Sequence, residues 1–411
     1  MAVSITIEQQ PFDYSPAYNP IWWVVSSTNT AQSNFEYICD IYITGVTFAG
    51  GQSYLRMKCP ADPVYGRGIF NVSNILQSQL SGNLGDTIYG FQQCQNSVLE
   101  YSVKFGELYG ASSGIIAYPN ITIVTGETSF NGSLGNIEWK DYQPKNYVAE
   151  LYTTKINLLT NAPSSGTIRI DENQWIYAMS QTSGAIKFAN VNVYTNGVLS
   201  VTGRFINYQY HNTSTIANRM IRFPSGYNIN DILVDPVLIL PTHTSWEIYF
   251  TDTDHNRITD SYFVFADATC TAHTVYRIHF KNKLGGYDSF SFIRASQITT
   301  DIKRDKFQKV LGEFKSAASY TYNKSDRSET NFNTEYKETI KLNSDWITED
   351  QSVWIQELFS SPDIKMEDDS GNLIPINIID TQYTQRKHNT DKIFNIEVSI
   401  QTTFTETRQR A

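Results

Sequence analysis

The chain alternates apolar and polar side chains along many short segments. From Phe35 to Ile43 an apolar or aromatic residue occupies every second position, and residues 99–105 and 276–280 repeat the pattern. Successive side chains of a strand point to opposite faces, so this period of two predicts strands with one buried face. Gly, Asn, Asp and Ser separate the segments. We therefore predict a mainly β fold of multidomain antiparallel β-sandwiches with a few short helices.

Turn residues refine this prediction. Asn196-Gly197 is typical of a two-residue hairpin turn between Val191–Tyr194 and Leu199–Phe205. A second hairpin is predicted with residues 282–286 at its tip, between residues 275–280 and 287–292. Residues 109–114 and 126–135 are predicted as loops, residues 155–159 as a strand, and residues 299–315 as either a strand or a short helix.

Two helices are expected. Ile75, Leu76 and Leu80 recur at helical spacing and predict a helix over residues 73–80. Thr348 and Gln351 have the spacing of a capping box at the start of a second, apolar helix. Pro362 is expected to end that helix.

The length of 411 residues suggests several domains, because a domain averages ~150 residues. Composition and turn clusters divide the chain into an N-terminal β-sandwich domain (1–150), a middle β-sandwich domain (151–296) and a more charged C-terminal α+β domain (297–411). Truncation after Ser296 is therefore expected to leave a folded N-terminal part.

The composition favours contact surfaces over nucleic-acid binding. The chain has 26 Tyr, 22 Phe and 7 Trp but only 18% charged residues, with a net charge of −9. Aromatic side chains are enriched in protein interfaces, whereas a nucleic-acid binder usually carries a basic footprint. The most basic stretch contains Lys303, Arg304, Lys306 and Lys309 and is interrupted by Asp305. We interpret it as a solvated face, and we expect no nucleic-acid partner.

A calcium loop is the first candidate for a chemical site. Asp252, Asp254 and Asn256 have the spacing of the first three ligands of such a loop. Arg257 stands where the loop needs glycine, and Phe263 stands where it needs glutamate. A polar turn between two strands is the preferred interpretation.

Histidines and cysteines give weaker candidates. His273 and His279 are expected on one strand with their side chains on the same side, and His243 and His255 lie upstream. We prefer surface or rim positions for these histidines over a metal site. The four cysteines have no metal-ligand spacing. We expect buried free thiols, with a Cys39–Cys59 disulfide as the alternative; the others are Cys94 and Cys270.

Trp22-Trp23 places large rings on both faces of one predicted strand. One ring is expected in the core. The other has three candidate roles, which are core, subunit contact and sugar platform.

No motif for catalysis is recognised. The sequence lacks a Gly-x-Ser-x-Gly elbow, a His-Glu-x-x-His helix and a phosphate-binding loop, and Gly285-Gly286 is too short for the last. A glycosidase can place its two carboxylates far apart in sequence, and nothing singles out a pair among 41 Asp and Glu. We predict no catalytic, cofactor-binding or metal residues. The N-terminal sequence does not resemble a signal peptide, and no membrane-spanning segment is expected.

Three short sequence segments, called phrases below, resemble segments of a known protein family. They are Asn19–Val24, Phe280–Phe292, and Leu342–Trp346 continuing through Trp354–Ser361 to Leu373–Asp380. Together they resemble virion structural proteins of tailed phages that infect Bacteroidetes-type bacteria, often encoded among tail genes. None of the phrases contains a catalytic motif.

The resemblance implies a non-enzymatic structural component of a phage tail, baseplate or head–tail region. Such a subunit assembles in the host cytoplasm, where free thiols persist, and ends in the virion. Its expected partners are copies of itself, in a ring or other homo-oligomer, and other virion proteins, with no nucleic acid and no membrane. The alternative is a carbohydrate-binding or receptor-binding module on the virion surface that contacts a host glycan. A polysaccharide-degrading enzyme is the third hypothesis.

Overall fold

The computed structural model describes residues 5–48, 51–82, 84, 90–110, 116–150, 155–163, 165–170, 172–181, 185–208, 219–232, 238–268, 272–383 and 393–408. Within them the fold is mainly β, as the alternation predicts. The chain forms two units: Met1–Ala268 with Lys281–Asp288, and Thr269–Phe280 with Ser289–Ala411. The three-domain division from the sequence stays a prediction.

The N-terminal part of the first unit is a sandwich of two sheets, ordered β1-β3-β6 and β2-β9-β8-β4-β5. Trp23 and Phe70 from the first sheet pack on Phe105 of the second, with ring centroids 5.6 and 5.9 Å apart. The alternation of residues 35–43 and 99–105 supplies much of this core. Along this part of the chain the strands are β1 (Thr6–Gln9), β2 (Ser15–Pro16), β3 (Trp22–Ser26), β4 (Glu36–Ile43), β5 (Leu55–Pro60), β6 (Arg67–Asn71), β7 (Gln92–Gln93), β8 (Val98–Leu108) and β9 (Ile116–Phe130), of which β7 belongs to the second sandwich.

A second sandwich follows in the same unit, from sheets ordered β10-β12-β15-β7 and β11-β17-β16-β13-β14. Phe223 of one sheet meets Phe250 of the other edge to face, 6.1 Å between centroids. Trp246 is fully buried in this core. The strands are β10 (Val148–Ala149), β11 (Ser165–Arg169), β12 (Trp175–Ser180), β13 (Phe188–Thr195), β14 (Val198–Ile206), β15 (Met220–Pro224), β16 (Ser245–Thr251) and β17 (Tyr262–Asp267).

Short helices connect these strands. Helix α1 covers Ser73–Gln77 and ends earlier than the predicted Leu80, while α2 covers Asn136–Asp141. Two 3-10 turns cover Pro144–Asn146 and Tyr227–Ile232.

The second unit is built on one long sheet, ordered β19-β18-β25-β26-β28-β23-β20, with β29 paired to β23. Helices α3 (Glu349–Trp354) and α4 (Gln356–Ser360) accompany it. The strands are β18 (Tyr276–Lys281), β19 (Tyr287–Phe292), β20 (Gln297–Gln308), β21 (Glu313–Ser316), β22 (Ser319–Thr321), β23 (Glu329–Asn343), β24 (Ile347–Thr348), β25 (Ile364–Glu367), β26 (Leu373–Ile378), β27 (Ile393–Phe394), β28 (Glu397–Thr402) and β29 (Glu406–Thr407).

Several local predictions are confirmed. Asn196 and Gly197 both have positive φ, at 51° and 82°, as a two-residue turn between β13 and β14 requires. The hydroxyl of Thr348 accepts from the Gln351 amide, and the Gln351 side chain accepts from the Thr348 amide, so the capping box forms. Residues 299–308 are strand, which decides the alternative left open for the start of that segment.

Two predictions about strands are wrong. Residues 126–130 belong to β9 and are not loop, because Gly126 (φ 81°) lies where the register of β8 and β9 shifts, so it serves a bulge within the ladder. Residues 155–159 form no strand, and Ile156 makes a single bridge to Thr259. Most strand pairs in the described part of the chain are antiparallel, as predicted, whereas β2–β9, β10–β12 and β11–β17 are parallel. Part of the predicted loop 109–114 lies outside the described residues.

The tip of the β18–β19 hairpin is fixed by close backbone approaches. The Asn282 side chain donates to the Leu159 carbonyl at 2.8 Å and accepts from the amides of Leu284 and Gly286. Gly285 has φ of 86°, and a Cβ on it would lie 2.7 Å from the Asn131 carbonyl oxygen. Residues 282–286, which lie in the second of the three resembling phrases, therefore make structural contacts within the first unit.

Gly285→Ala is expected to destabilise the first unit by about 2–4 kcal/mol, since it adds a left-handed alanine and a steric clash. Gly197→Ala is the matched control, because Gly197 also has positive φ but a Cβ there meets nothing within 4 Å. It should cost only ~1 kcal/mol. Urea unfolding of both variants measures the difference, and equal losses would contradict the close-packing argument.

Candidate subunit interface

The outermost part of the long sheet in the second unit is a two-stranded arm. Residues 303–334 comprise the end of β20, the β21–β22 hairpin and the start of β23. Beyond Glu335 and Tyr336, where β29 pairs with β23, the strand pairing among the described residues is that of β20 with β23, from Arg304 opposite Thr334 to Gln308 opposite Glu329. Eleven of the twelve residues of β20 are exposed. An isolated two-stranded ribbon is marginally stable at best, so this arm lacks the core that would make it self-sufficient.

The arm displays large apolar side chains along its length. Phe307 and Phe332 pair with ring centroids 6.2 Å apart, and Phe314 meets Tyr320 edge to face at 5.0 Å. Phe314 is nevertheless 75% exposed. Val310 and Tyr322 are likewise exposed. Contiguous exposed apolar area of this kind is typical of interaction surfaces.

The arm is basic although the chain is acidic. Residues 303–334 contain seven Lys and Arg against four Asp and Glu, whereas the whole chain carries a net charge of −9. Lys306 pairs with Glu329 at 2.6 Å. Arg304, Lys309 and Lys315 make no ion pair within the described part of the chain. The stretch interpreted from the sequence as a solvated face is indeed exposed, and the structure adds that it lies on a projecting ribbon.

A second exposed surface of the same unit has the opposite charge. We call it the Trp346 face, formed by Trp346, Glu349, Asp350 and Val353 at helical spacing on and before α3. Trp346 is 61% exposed, and Val353 and Asp350 are also exposed. The acidic charge of this face comes from Glu349 and Asp350.

Local contacts hold the Trp346 face in place. Arg294 donates to Asp345 at 2.6 Å, and Asp345 accepts the Trp346 amide at 2.8 Å. The Arg294 hydrogen bond is the main reason why the pKa of Asp345 is lowered. The capping box at Thr348 fixes the start of α3, so the exposed side chains of this face stand on an ordered turn.

A smaller apolar surface lies in the first unit. Trp23 is fully buried, as expected for one of the two adjacent rings, while Trp22 is 49% exposed. Trp22 lies opposite Asn71, and the exposed Ile69 is two residues away on the same face of β6. The core role is therefore excluded for Trp22, and a subunit contact and a sugar platform remain as alternatives.

The calcium-like sequence is a closed turn. Asp252 accepts from the Asn256 amide at 2.8 Å and from its side-chain nitrogen at 3.1 Å. His255 within it has φ of 66°. The carboxylate that would be the first ligand is thus used to shape the turn, in agreement with the preferred interpretation. Among the described residues no group of three or more His, Cys, Asp or Glu is placed to hold a metal ion.

The expectation of surface histidines is wrong for two of them. His279 is fully buried, with Nδ1 2.7 Å from the Ser289 hydroxyl and Nε2 3.0 Å from Glu367. His243 is buried and accepts the Leu240 amide at 2.9 Å. His273 precedes β18, so it does not share a strand with His279. These rings satisfy buried polar groups, because an unpaired buried group would be costly.

The Ser289–His279–Glu367 arrangement has the residue types of a hydrolytic triad. All three side chains are buried on adjacent strands β19, β18 and β25. A nucleophile must be reached by its substrate, and Ser289 is 7% exposed. We therefore interpret the arrangement as a cross-strand hydrogen-bond chain that ties three strands of the sheet together.

The described cysteines are free. Cys39 and Cys94 are buried, and burial raises the pKa of both thiols. Cys59 is half-exposed, which corrects the expectation that it is buried, because it packs against the N-terminal core from β5, a strand at the edge of its sheet. Cys39 lies opposite Met57, so the alternative Cys39–Cys59 disulfide does not form. Cys270 lies outside the described residues.

Sequence reasoning missed a pair of carboxyl groups in the first unit. Glu127 is buried, with Oε1 accepting from Gln10 at 2.7 Å and Oε2 without a hydrogen-bond partner in the described structure. Asp13 accepts the Thr128 amide at 2.7 Å and the Tyr14 amide at 3.0 Å. Burial, and then the charge of Asp13, raise the pKa of Glu127 to about 7, and burial raises the pKa of Asp13.

This pair predicts that stability falls as pH rises. The pKa of Glu127 is higher in the folded chain than the ordinary 4.5, so its stabilising contribution is present below pH ~4.5 and is lost on approaching pH 7. We expect Glu127→Gln to reduce that loss by on the order of 1–3 kcal/mol. Melting temperatures between pH 5 and pH 7.5 measure it, with the exposed Glu338→Gln as control. An unchanged pH slope in Glu127→Gln would contradict the prediction.

The described part of the chain has no helix with the length and apolar character needed to cross a membrane. No protein-family model matches the sequence. A search of curated proteins likewise finds no match.

Proposed function

We propose that the chain is a non-enzymatic structural component of a phage particle, in the tail, baseplate or head–tail region, that assembles through subunit interfaces. The observation that carries the proposal is the arm of residues 303–334, a ribbon that exposes aromatic side chains and has no core of its own. Burying such a ribbon against another protein stabilises both the ribbon and the assembly. The resemblance of three phrases to phage virion proteins supplies the biological setting.

The expected partners are copies of this chain and other virion proteins, and the expected location is the virion after assembly in the host cytoplasm. The two sandwiches of the first unit give rigid cores, which suit a protein whose task is to hold geometry. The outer edge of β20 pairs with no other strand among the described residues, so a neighbouring strand can satisfy its backbone groups. The mechanism proposed is therefore mechanical, through surface burial and strand pairing.

The native mass of the purified chain tests this proposal. Sedimentation velocity at rising protein concentration should show a species of several copies, and particles should contain the chain in a fixed stoichiometry. A chain that stays monomeric at all concentrations and is absent from purified particles would overturn it.

The half-exposed Trp22 favours a second candidate function, a carbohydrate-binding module on the virion surface. An exposed indole beside an amide, here Asn71, can stack on a sugar ring and donate a hydrogen bond. Glycan-array binding by the monomeric chain, lost in Trp22→Ala, would support this candidate. Absence of binding together with a multimeric native mass would leave the structural role.

A further inference from the structure

The arm and the Trp346 face have complementary charge and matching apolar character. The arm offers Arg304, Lys309 and Lys315 around exposed rings, and the Trp346 face offers Glu349 and Asp350 around Trp346 and Val353. Both surfaces are exposed in the single chain, so neither covers the other within one molecule. A second copy of this chain therefore presents a surface that fits each of them.

We propose that the arm of one copy binds the Trp346 face of the next copy. This inference rests on the proposed function and names the partner and the contact through which it acts. The choice of a second copy follows from charge, because the arm carries seven Lys and Arg against four Asp and Glu in a chain of net charge −9, and the Trp346 face carries the acidic Glu349 and Asp350. A patch that binds a different patch on its neighbour makes a head-to-tail contact, which produces rings or filaments.

Apolar and charged side chains contribute to this contact in different ways. The rings of Phe314, Tyr320 and Trp346 supply the apolar area that is removed from water. The charges orient the two surfaces and raise the association rate, an effect that salt screens over about 8–10 Å. Association should therefore weaken as ionic strength rises, although the apolar part of the contact persists.

Charge reversal on each surface tests the contact. The arm variant is Arg304→Glu with Lys309→Glu, and the face variant is Glu349→Lys with Asp350→Lys. Each variant alone should associate at least ten-fold more weakly than the wild type in sedimentation experiments at low salt. An equimolar mixture of the two should regain wild-type association, because the reversed arm fits the reversed face.

Matched controls separate this contact from general charge effects. Lys140→Glu with Lys145→Glu makes the same charge change as the arm variant at exposed positions elsewhere. Asp141→Lys with Asp254→Lys does the same for the face variant. Both controls should associate like the wild type, and circular dichroism should show native folding for every variant.

The outcomes distinguish the inference from the proposed function. This contact is overturned if the wild type associates and the charge-reversal variants associate equally well. It is also overturned if the mixture of the two variants does not regain association. In both cases the structural role is kept. A wild type that stays monomeric overturns this contact, and it overturns the proposed function as well only if the chain is also absent from purified particles. Binding of the wild-type arm to a DNA duplex or to phosphatidylglycerol vesicles, with no salt-sensitive self-association, would show that the partner assigned here is wrong.

Discussion

Trp354→Ala is expected to lower the free energy of unfolding of the second unit by ~3 kcal/mol or more. The indole is buried at the end of α3 and packs on Phe280 and Phe290, with ring centroids 5.7 and 6.1 Å apart. Its removal leaves a cavity between the helix and strands β18 and β19 that the surrounding rings cannot fill without leaving their rotamers. Urea unfolding followed by circular dichroism measures the loss.

Trp346→Ala is the matched control, because the same residue type is removed eight positions earlier from an exposed site. It should change stability by no more than about 0.5 kcal/mol, while it weakens the self-association proposed for the Trp346 face. An unchanged unfolding curve for Trp354→Ala would refute the assignment of that ring to the core of the unit.

Local structure was predictable wherever a few adjacent residues decide the backbone. Asn196-Gly197 accepts positive φ at both turn positions, so the hairpin of β13 and β14 follows from two residues. Thr348 and Gln351 satisfy each other's amides, which fixes where α3 begins. Pro362 disfavours helix in the residue before it, and Ser361 is accordingly extended.

The errors arise where the partner strand decides the outcome. From the sequence Gly126 was predicted in a loop, yet the register between β8 and β9 places it at a bulge inside a fifteen-residue strand. His279 was predicted at the surface, yet it is buried between two neighbouring strands, where it hydrogen-bonds to Ser289 and Glu367. Strand pairing joins residues distant in sequence, and alternation alone gives each strand a buried face without naming its neighbour.

The candidate interface was predictable only in part. The sequence shows a basic stretch at Lys303–Lys309 and many aromatic residues. It does not show that β23 extends past β28 and β29, so that β20 is the strand paired with it in the described part of the arm. Likewise the pair of Asp13 and Glu127 lies 114 residues apart along the chain. Exposure and burial are properties of the folded sheets, so these features needed the structure.

Removal of the arm is expected to abolish self-association and leave the second unit folded. Lys303 lies opposite Glu335, so residues 304–334 can be replaced by Asn-Gly, the two-residue turn that the chain itself uses between β13 and β14. The shortened hairpin keeps the pairing of residues 297–303 with β23, and keeps β28 and β29 in place. Since Ile340 and Leu342 stay buried in this retained part, the core of the sheet is not altered.

Sedimentation velocity and thermal melting on the same sample separate the two expectations. The melting temperature should stay within a few degrees of the wild type, because the removed residues contribute little buried area. Sedimentation velocity should show only the monomer at concentrations where the wild type associates. A folded, arm-less chain that still forms the wild-type oligomer would place the subunit contact elsewhere, with the exposed Trp22 and Ile69 of the first unit as the next surface to change.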